Sequence, residues 1–304
     1  MSRRTKKNKQ QTKKEFDKLE YPYYKFDNSL TKIKSNLNLL SIYKPIFYTN
    51  IKDIRKRNLI KFHNKYLILI DNYNKNKDLY EITDWFSQDC RVKCIYNIPN
   101  SKTKNTKSIL DHFTENKEFI YNNIEKITHH NIREYLWLNY KQCTNFNTTI
   151  ILSLLKLFKP TRYLDPSSGW GDRLIGAIAY HKSIGWNKDF TYTGVDPSEC
   201  MNPKYIEIVN NLVPKTKRDK FNVIQLGYEN TNLESNTYDL IFTSPPFFDL
   251  EIYSNSNNQS TTKFTTLNKW LNGFLYPSLE KSYKYFLSGG HFCLYISDYK
   301  GVSY

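Results

Sequence analysis

No stretch of this chain approaches the ~18 consecutive apolar residues of a membrane-spanning helix, and its N-terminus is charged, not signal-like. A soluble, intracellular protein of the cytoplasm or nucleus is therefore expected. An internal repeat is absent, and so is a common zinc-site pattern. Cys90 and Cys94 stand in CRVKC with no second Cys/His pair nearby, so no metal site is expected. The five cysteines, at 90, 94, 143, 200 and 293, are odd in number and lack a disulfide rhythm, so buried thiols in a reducing compartment are expected. Acidic residues are also in short supply, 29 against 45 basic ones, leaving a net charge of +16. Such a surplus favours a polyanionic partner, because each Lys or Arg on a phosphate releases counterions. The excess of Lys, Asn, Ile and Tyr is also what an AT-rich coding bias produces, with no partner needed.

What is present suffices for a core: 39% of the 304 residues are apolar and 16% aromatic. Residues 1–15, MSRRTKKNKQQTKKE, hold no large apolar residue beyond Met1, and a basic disordered tail is expected over 1–20. Apolar clusters then return. Residues 65–70 (KYLILI) and 91–97 (RVKCIYN) read as strands, and 79–86 as a helix or turn. The polar stretch 98–109 marks an internal boundary, dividing an α+β region at 21–109 from a larger unit at 110–304. Over 110–142 the spacing is helical, with Phe119, Ile124, Ile127, Ile132, Tyr135 and Leu138 as expected inward positions.

From residue 149 onward, helices and strands alternate. Helices are expected over 149–158 and 172–180. Strands are expected at 162–165, 192–196, 222–226, 238–243 and 291–297. The alternation predicts an α/β fold with a parallel, doubly wound sheet.

In such a sheet, ligands sit beyond the carboxyl ends of the strands, near the point where strand order reverses. The segment YLDPSSGWGDR, 163–173, ends a strand and opens a helix. Gly169 and Gly171 let the backbone approach a ligand closely, and the strand-end Asp165 can bind a cationic group. Asp196, ending the next strand in YTGVD, can accept both hydroxyls of a ribose. It can equally cap the following helix, as Pro197 and Ser198 suggest. A further loop, Thr243-Ser244-Pro245-Pro246-Phe247, follows the strand YDLIF. Its double proline removes two backbone donors and stiffens the chain. The Ser244 hydroxyl and Pro245 carbonyl can then converge as acceptors for one amino group, and Phe247 offers a face for an unstacked base.

With these segments the chain resembles the amino-methyltransferases of nucleic acid. DPSSGWG resembles their cofactor loop, D-P-x-x-G-x-G. TSPPF resembles their catalytic [DNS]-P-P-[YFW] motif. CTNFNTTI, 143–150, is similar to the segment that packs against the methionine moiety. TSPPFFDLEIYS and ITDWFSQDCRVKC are similar to a viral and phage-associated subset of DNA methyltransferases. The resemblance is strongest over 140–298 and reaches back to about residue 80. It implies a Rossmann-like class I methyltransferase domain over 110–304, with S-adenosyl-L-methionine as cofactor and nucleic acid, DNA above all, as partner. It further implies that Asp165, Pro166, Gly169 and Gly171 contact the methionine part, with Phe146 and Thr148 nearby, and that Asp196 binds the ribose. Ser244, Pro245, Pro246 and Phe247 would hold the target base. Trp170 and Arg173 depart from the small or hydroxyl residues usual in the cofactor loop, and Leu226-Gly227-Tyr228-Glu229 leaves the adenine contact open.

The implied reaction transfers a methyl group to an exocyclic base nitrogen. Carbon-5 cytosine chemistry needs a cysteine nucleophile in the catalytic loop, and none lies near 244–247. Ser244 in the first motif position leans toward cytosine over adenine. An RNA guanine amino-methyltransferase and a binding module without turnover remain alternatives. Such a sheet normally continues past its fifth strand into a hairpin covering that edge. Residues 298–304 are too few for one, so an open edge with weak stability, or a filling by 65–70 or 91–97, is expected.

Overall fold

The computed structural model describes residues 13–45, 47–48, 69–70, 79, 81–97 and 105–296. The first longer helix, α1 (Leu30–Ser41), starts where the Ser29 side chain accepts from the Lys32 N–H. Strands β1 (Phe47–Tyr48) and β2 (Leu69–Ile70) form a small antiparallel pair. Helix α2 (Glu81–Arg91) follows, and then β3 (Ile95–Tyr96). Three short helices come next: α3 (Ile109–Glu115), α4 (Lys117–Asn123) and α5 (His129–Asn139). Helix α6 (Thr148–Phe158) begins at Asn147, whose side chain accepts from the Thr149 N–H at 3.0 Å, and ends at Lys159 in a left-handed conformation.

The remaining chain alternates as expected. Strand β4 (Arg162–Asp165), helix α7 (Asp172–Ile184), β5 (Thr191–Val195), helix α8 (Asn202–Leu212), β6 (Phe221–Ile224) and β7 (Tyr238–Thr243) are followed by the two-residue β8 (Glu251–Ile252), helix α9 (Tyr276–Tyr285) and β9 (Phe286–Leu294). Five of these strands form one sheet in the order β6-β5-β4-β7-β9, every pair parallel. Counted from β4, that is 3-2-1-4-5, the doubly wound, Rossmann-like order.

Side-chain alternation explains why both faces are covered. Tyr163, Tyr192, Leu240 and Phe242 point into one core with Leu152, Leu155, Ile175 and Ile178 of α6 and α7. Their neighbours Leu164, Val195 and Ile241 point the other way, onto Tyr228, Tyr238 and Tyr285. The order reverses between β4 and β7, and the loops leaving these two strands are the two that carry the sequence motifs.

Several expectations are corrected. Residues 13–17 are helical and Phe16 is buried, so a disordered tail does not extend over 13–20; residues 1–12 lie outside the described ones. Phe16 and Tyr21 share a core with Val92, Ile109, Phe113, Ile120, Ile132 and Leu136, so packing does not divide at 109/110. Breaks at Asn116 and around 124–128 restart the helical phase, which leaves the expected inward residues Phe119 and Leu138 exposed. Of the strand expected at 65–70 only Leu69 and Ile70 are described. The strand expected at 91–97 shrinks to β3, because Arg91 still closes α2, and it pairs with β8. Among the described residues β9 is bonded only to β7, and Leu287, Phe292 and Leu294 along it are exposed. The cysteines are not free thiols: Cys90 is bonded to Cys200 and Cys94 to Cys143, leaving Cys293 unpaired. Separations of 110 and 49 residues left no local rhythm to read. No helix among the described residues is long and apolar enough to cross a membrane.

Candidate active site

A cavity of about 510 Å³ opens at the carboxyl ends of β4, β5 and β7, beside the reversal of strand order. Its floor is the loop after β4. Gly169 (φ 58°) occupies the left-handed region, which side chains rarely adopt. A Cβ there would make only ordinary contacts, at 3.8 Å or more, so backbone conformation, not crowding, demands glycine. Gly171 (φ 95°) starts α7 in the same left-handed region, and a Cβ there would also displace the Ile208 terminal methyl on α8, 2.9 Å away.

Asp196 stands at the end of β5. Its carboxylate accepts the Gly169 N–H at 2.8 Å and the Ser198 N–H at 3.0 Å, so it ties the loop to the strand and retains further lone pairs. It faces the cavity. Burial pushes its carboxyl up to about 6, against the pull of the two N–H donors. It therefore organises the chain entering the next helix and also lines the cavity.

The loop after β7 forms the opposite wall. Ser244, Pro245, Pro246 and Phe247 all line the cavity. A turn closed by the Leu250 N–H on the Phe247 carbonyl follows them, with Phe248 at φ 46°. A bulky residue there is strained, and strain of this kind is kept where surrounding structure enforces it. Phe247, Tyr295 and Phe146 form an aromatic wall, with Phe146 5.4 Å and Phe247 6.5 Å from the Tyr295 ring centre.

The expected residues divide accordingly. Phe146, Pro166, Gly169, Asp196 and the four residues 244–247 line the cavity. Three do not. Thr148 is buried at the start of α6, with its hydroxyl unpartnered among the described residues. Gly171 packs under α8. Asp165 is fully buried: its two oxygens each lie 3.0 Å from Arg173 Nε, and they also accept from the Tyr192 hydroxyl and the Ser167 N–H. Burial pushes the Asp165 carboxyl up, and these partners oppose that push. With its oxygens so engaged, it is an internal counter-ion and not a free acceptor.

Other cavity residues were given no role by the sequence. Tyr96, Asn145, Trp170, Asp172, Glu229, Glu251 and Tyr253 all reach the site. The segment Gly227-Tyr228-Glu229, where the adenine contact was open, is among the lining, with Glu229 paired to Lys263 at 3.0 Å. Glu251 accepts from the Tyr253 hydroxyl at 2.8 Å, and burial pushes its carboxyl up. Burial also pushes Asp172 up to about 7; its carboxylate holds the Phe146 N–H at 3.1 Å.

Helix α2 braces these walls from outside the sheet. Ser87 donates to the Trp170 carbonyl, Arg91 pairs with Asp84 and donates to the Cys143 carbonyl, and Asn145 donates to Asp84. The two disulfides join the same stretch of chain to residues beside the cavity wall. Cys200 follows Ser198, and Cys143 precedes Thr144.

No family model matches this chain, and no curated protein matches it in sequence. Among solved structures it is similar to a Plasmodium falciparum protein assigned as a protein-L-isoaspartate O-methyltransferase, in complex with S-adenosyl-L-homocysteine. The identity is 22% over 34% of this chain and 52% of that one, so the chain spans about half its length, with a TM-score of 0.28. It is also similar to a methyltransferase from Podospora anserina bound to the same molecule, at 15% identity over 59% and 67% of the two chains and a TM-score of 0.32. A third is a Staphylococcus aureus protein assigned as a caffeoyl-CoA O-methyltransferase, at 12% identity over 50% and 62%, with a TM-score of 0.28.

Proposed function

We propose that this protein is an S-adenosyl-L-methionine-dependent methyltransferase acting on the exocyclic amino group of a base in DNA, cytosine ahead of adenine. One observation carries the reading: Gly169 and Asp196 on one side, and Ser244-Pro245-Pro246-Phe247 on the other, face a single cavity at the switch point of a doubly wound sheet. The residues fit the cofactor. A strand-end carboxylate with spare lone pairs suits a ribose diol, and a left-handed glycine beside it gives backbone access. When bound, S-adenosyl-L-methionine supplies a methyl group activated by a positively charged sulfur.

This chain's own residues do the rest. An exocyclic amino nitrogen is a poor nucleophile while its lone pair is delocalised into the ring. Accepting its two N–H bonds at Ser244 Oγ and the Pro245 carbonyl draws it toward tetrahedral geometry and frees that lone pair for attack. Phe247 and Tyr295 offer ring faces for a base taken out of its stack. Catalysis then rests on orientation and electrostatics, without a covalent enzyme intermediate. The net charge of +16 supports a nucleic-acid acceptor over a protein one.

Incubation with methyl-labelled cofactor and DNA, RNA or protein acceptors tests the reading. Label in DNA, recovered by mass spectrometry as N4-methylcytosine, supports it in full, and N6-methyladenine moves the base assignment alone. Label confined to RNA, as in a guanine amino-methyltransferase, or to protein overturns the DNA reading. Cofactor binding without transfer to any acceptor makes the chain a binding module.

A further inference from the structure

Arg173 departs from the pattern of the sequences this chain resembles, and the structure gives it an unusual setting. It follows the cofactor loop in the first turn of α7, with its side chain 5% exposed. A guanidinium carries five N–H donors in a planar fork. The single donor on Nε is spent on Asp165, at 3.0 Å from both oxygens. Among the described residues nothing else accepts from it, which leaves the four donors on Nη1 and Nη2 unmatched.

Those donors belong to a residue that lines the cavity. Nη2 lies 3.8 Å from the place a Cβ on Gly169 would occupy, and the guanidinium carbon is 5.4 Å from the centre of the Phe146 ring. Asp165 holds the fork in one orientation and is itself held by Tyr192 and Ser167. A fork with one edge anchored and the other without a protein acceptor takes its partners from whatever fills the cavity, water or a ligand. The acceptor whose geometry matches two parallel N–H groups is a carboxylate or phosphate.

Position selects between these. Gly169 donates its N–H to Asp196 and faces Arg173 with its α-carbon. The two charged residues thus flank one glycine, the carboxylate suited to a neutral diol and the guanidinium to an anion. A molecule with a ribose at one end and an α-carboxylate a few bonds away meets both. We propose that Arg173, braced by Asp165, binds the α-carboxylate of the amino-acid end of S-adenosyl-L-methionine and so selects the complete cofactor over analogues lacking that carboxylate. This rests on the cofactor assignment above and adds the residue that reads its anionic end. Arg173 thereby takes the methionine end of the ligand, the part that Asp165 was expected to contact.

The test is calorimetric binding of two probes to the full chain, with no turnover required: S-adenosyl-L-homocysteine and its decarboxylated counterpart, which keeps the amine and the adenosine. Wild-type protein is expected to bind the first at least about tenfold more tightly, the scale of a charge-assisted hydrogen-bond pair. Arg173→Lys keeps a positive charge beside Asp165 but loses the planar fork. It should weaken S-adenosyl-L-homocysteine and leave the decarboxylated probe unchanged, narrowing the ratio. Equal wild-type affinity for both probes overturns the inference while leaving the cofactor assignment standing. Equal weakening of both probes in Arg173→Lys also overturns it, by making the residue structural. Binding of neither probe to wild-type protein overturns the cofactor assignment and this inference together. Arg173→Lys is compared at matched folded fraction by circular dichroism, and the wild-type ratio decides the question even where the variant does not fold.

Discussion

Asp165 and Asp196 close neighbouring parallel strands, and each stands just before a loop that lines the cavity, yet the fold uses them in opposite ways. Asp165 is saturated from within by Arg173, Tyr192 and Ser167 and has no contact with the site. Among the described residues the Asp196 carboxylate accepts from two backbone N–H groups alone, and it opens onto the cavity. The difference arises eight residues beyond the first acid, where α7 presents an arginine. A strand-end carboxylate in this sheet keeps lone pairs for the cavity only where the following helix does not supply its counter-ion.

The sharpest way to break this comparison is to remove the two acids separately and measure stability. Asp165→Asn leaves the Arg173 guanidinium buried without its charge partner, which costs roughly 3–5 kcal/mol. A drop in Tm of many degrees is expected, while Asp196→Asn should leave Tm nearly unchanged. Equal Tm for the two variants would mean that Asp165 is not an internal counter-ion.

Reduction of the disulfides comes next. Bridges spanning 110 and 49 residues stabilise a folded chain by about 2–4 kcal/mol each. Reductant should lower Tm, and alkylation without reductant should modify Cys293 alone. Because Cys200 lies four residues beyond Asp196, opening its bridge should also weaken cofactor binding more than it would disturb Asp165. Five alkylated cysteines in the untreated protein would refute this pairing.

Asp196→Ala should weaken S-adenosyl-L-homocysteine binding tenfold or more, from the loss of charge-assisted hydrogen bonds worth roughly 1.5–3 kcal/mol. Calorimetry on the folded variant checks this, and unchanged affinity would remove the residue from the site.

The smallest expected effect is a pH dependence. An unperturbed aspartate titrates near ~3.9, and burial pushes Asp196 up to about 6. Between those values the folded state holds the proton more tightly than the unfolded one, so this group lowers stability as pH rises from about 4 to about 6. Ligand binding has the opposite sign, because the ionised carboxylate is the better acceptor for a diol. S-adenosyl-L-homocysteine affinity should rise as pH climbs through about 6. Asp196→Asn should flatten that rise, leaving whatever dependence Asp172 contributes near about 7.

The sheet and both loops were legible in the sequence because their signals are local. An apolar strand followed by a glycine pair, or by a double proline, needs no knowledge of the fold. Strand β9 was placed too late in the chain, since Phe286–Leu294 includes two glycines and an irregular register against β7. What depends on distant partners was not legible. Arg173 could be seen as a departure, but not as the partner that closes Asp165 off from the site. Tyr96 and α2 carry no catalytic pattern, and only tertiary packing brings the one to the cavity and the other against its walls. The disulfides escaped for the same reason: Cys90 meets Cys200 across 110 residues of chain.

The most direct test of the whole account separates cofactor binding from turnover in the loop after β7. Ser244→Ala and Phe247→Ala should each bind S-adenosyl-L-homocysteine as the wild-type protein does, while methyl transfer to DNA falls by two orders of magnitude or more, the scale of losing an oriented polar contact at the reacting group. Parallel losses of binding and transfer in both variants would show that this loop is structural and that the cavity does not join a cofactor site to a base site.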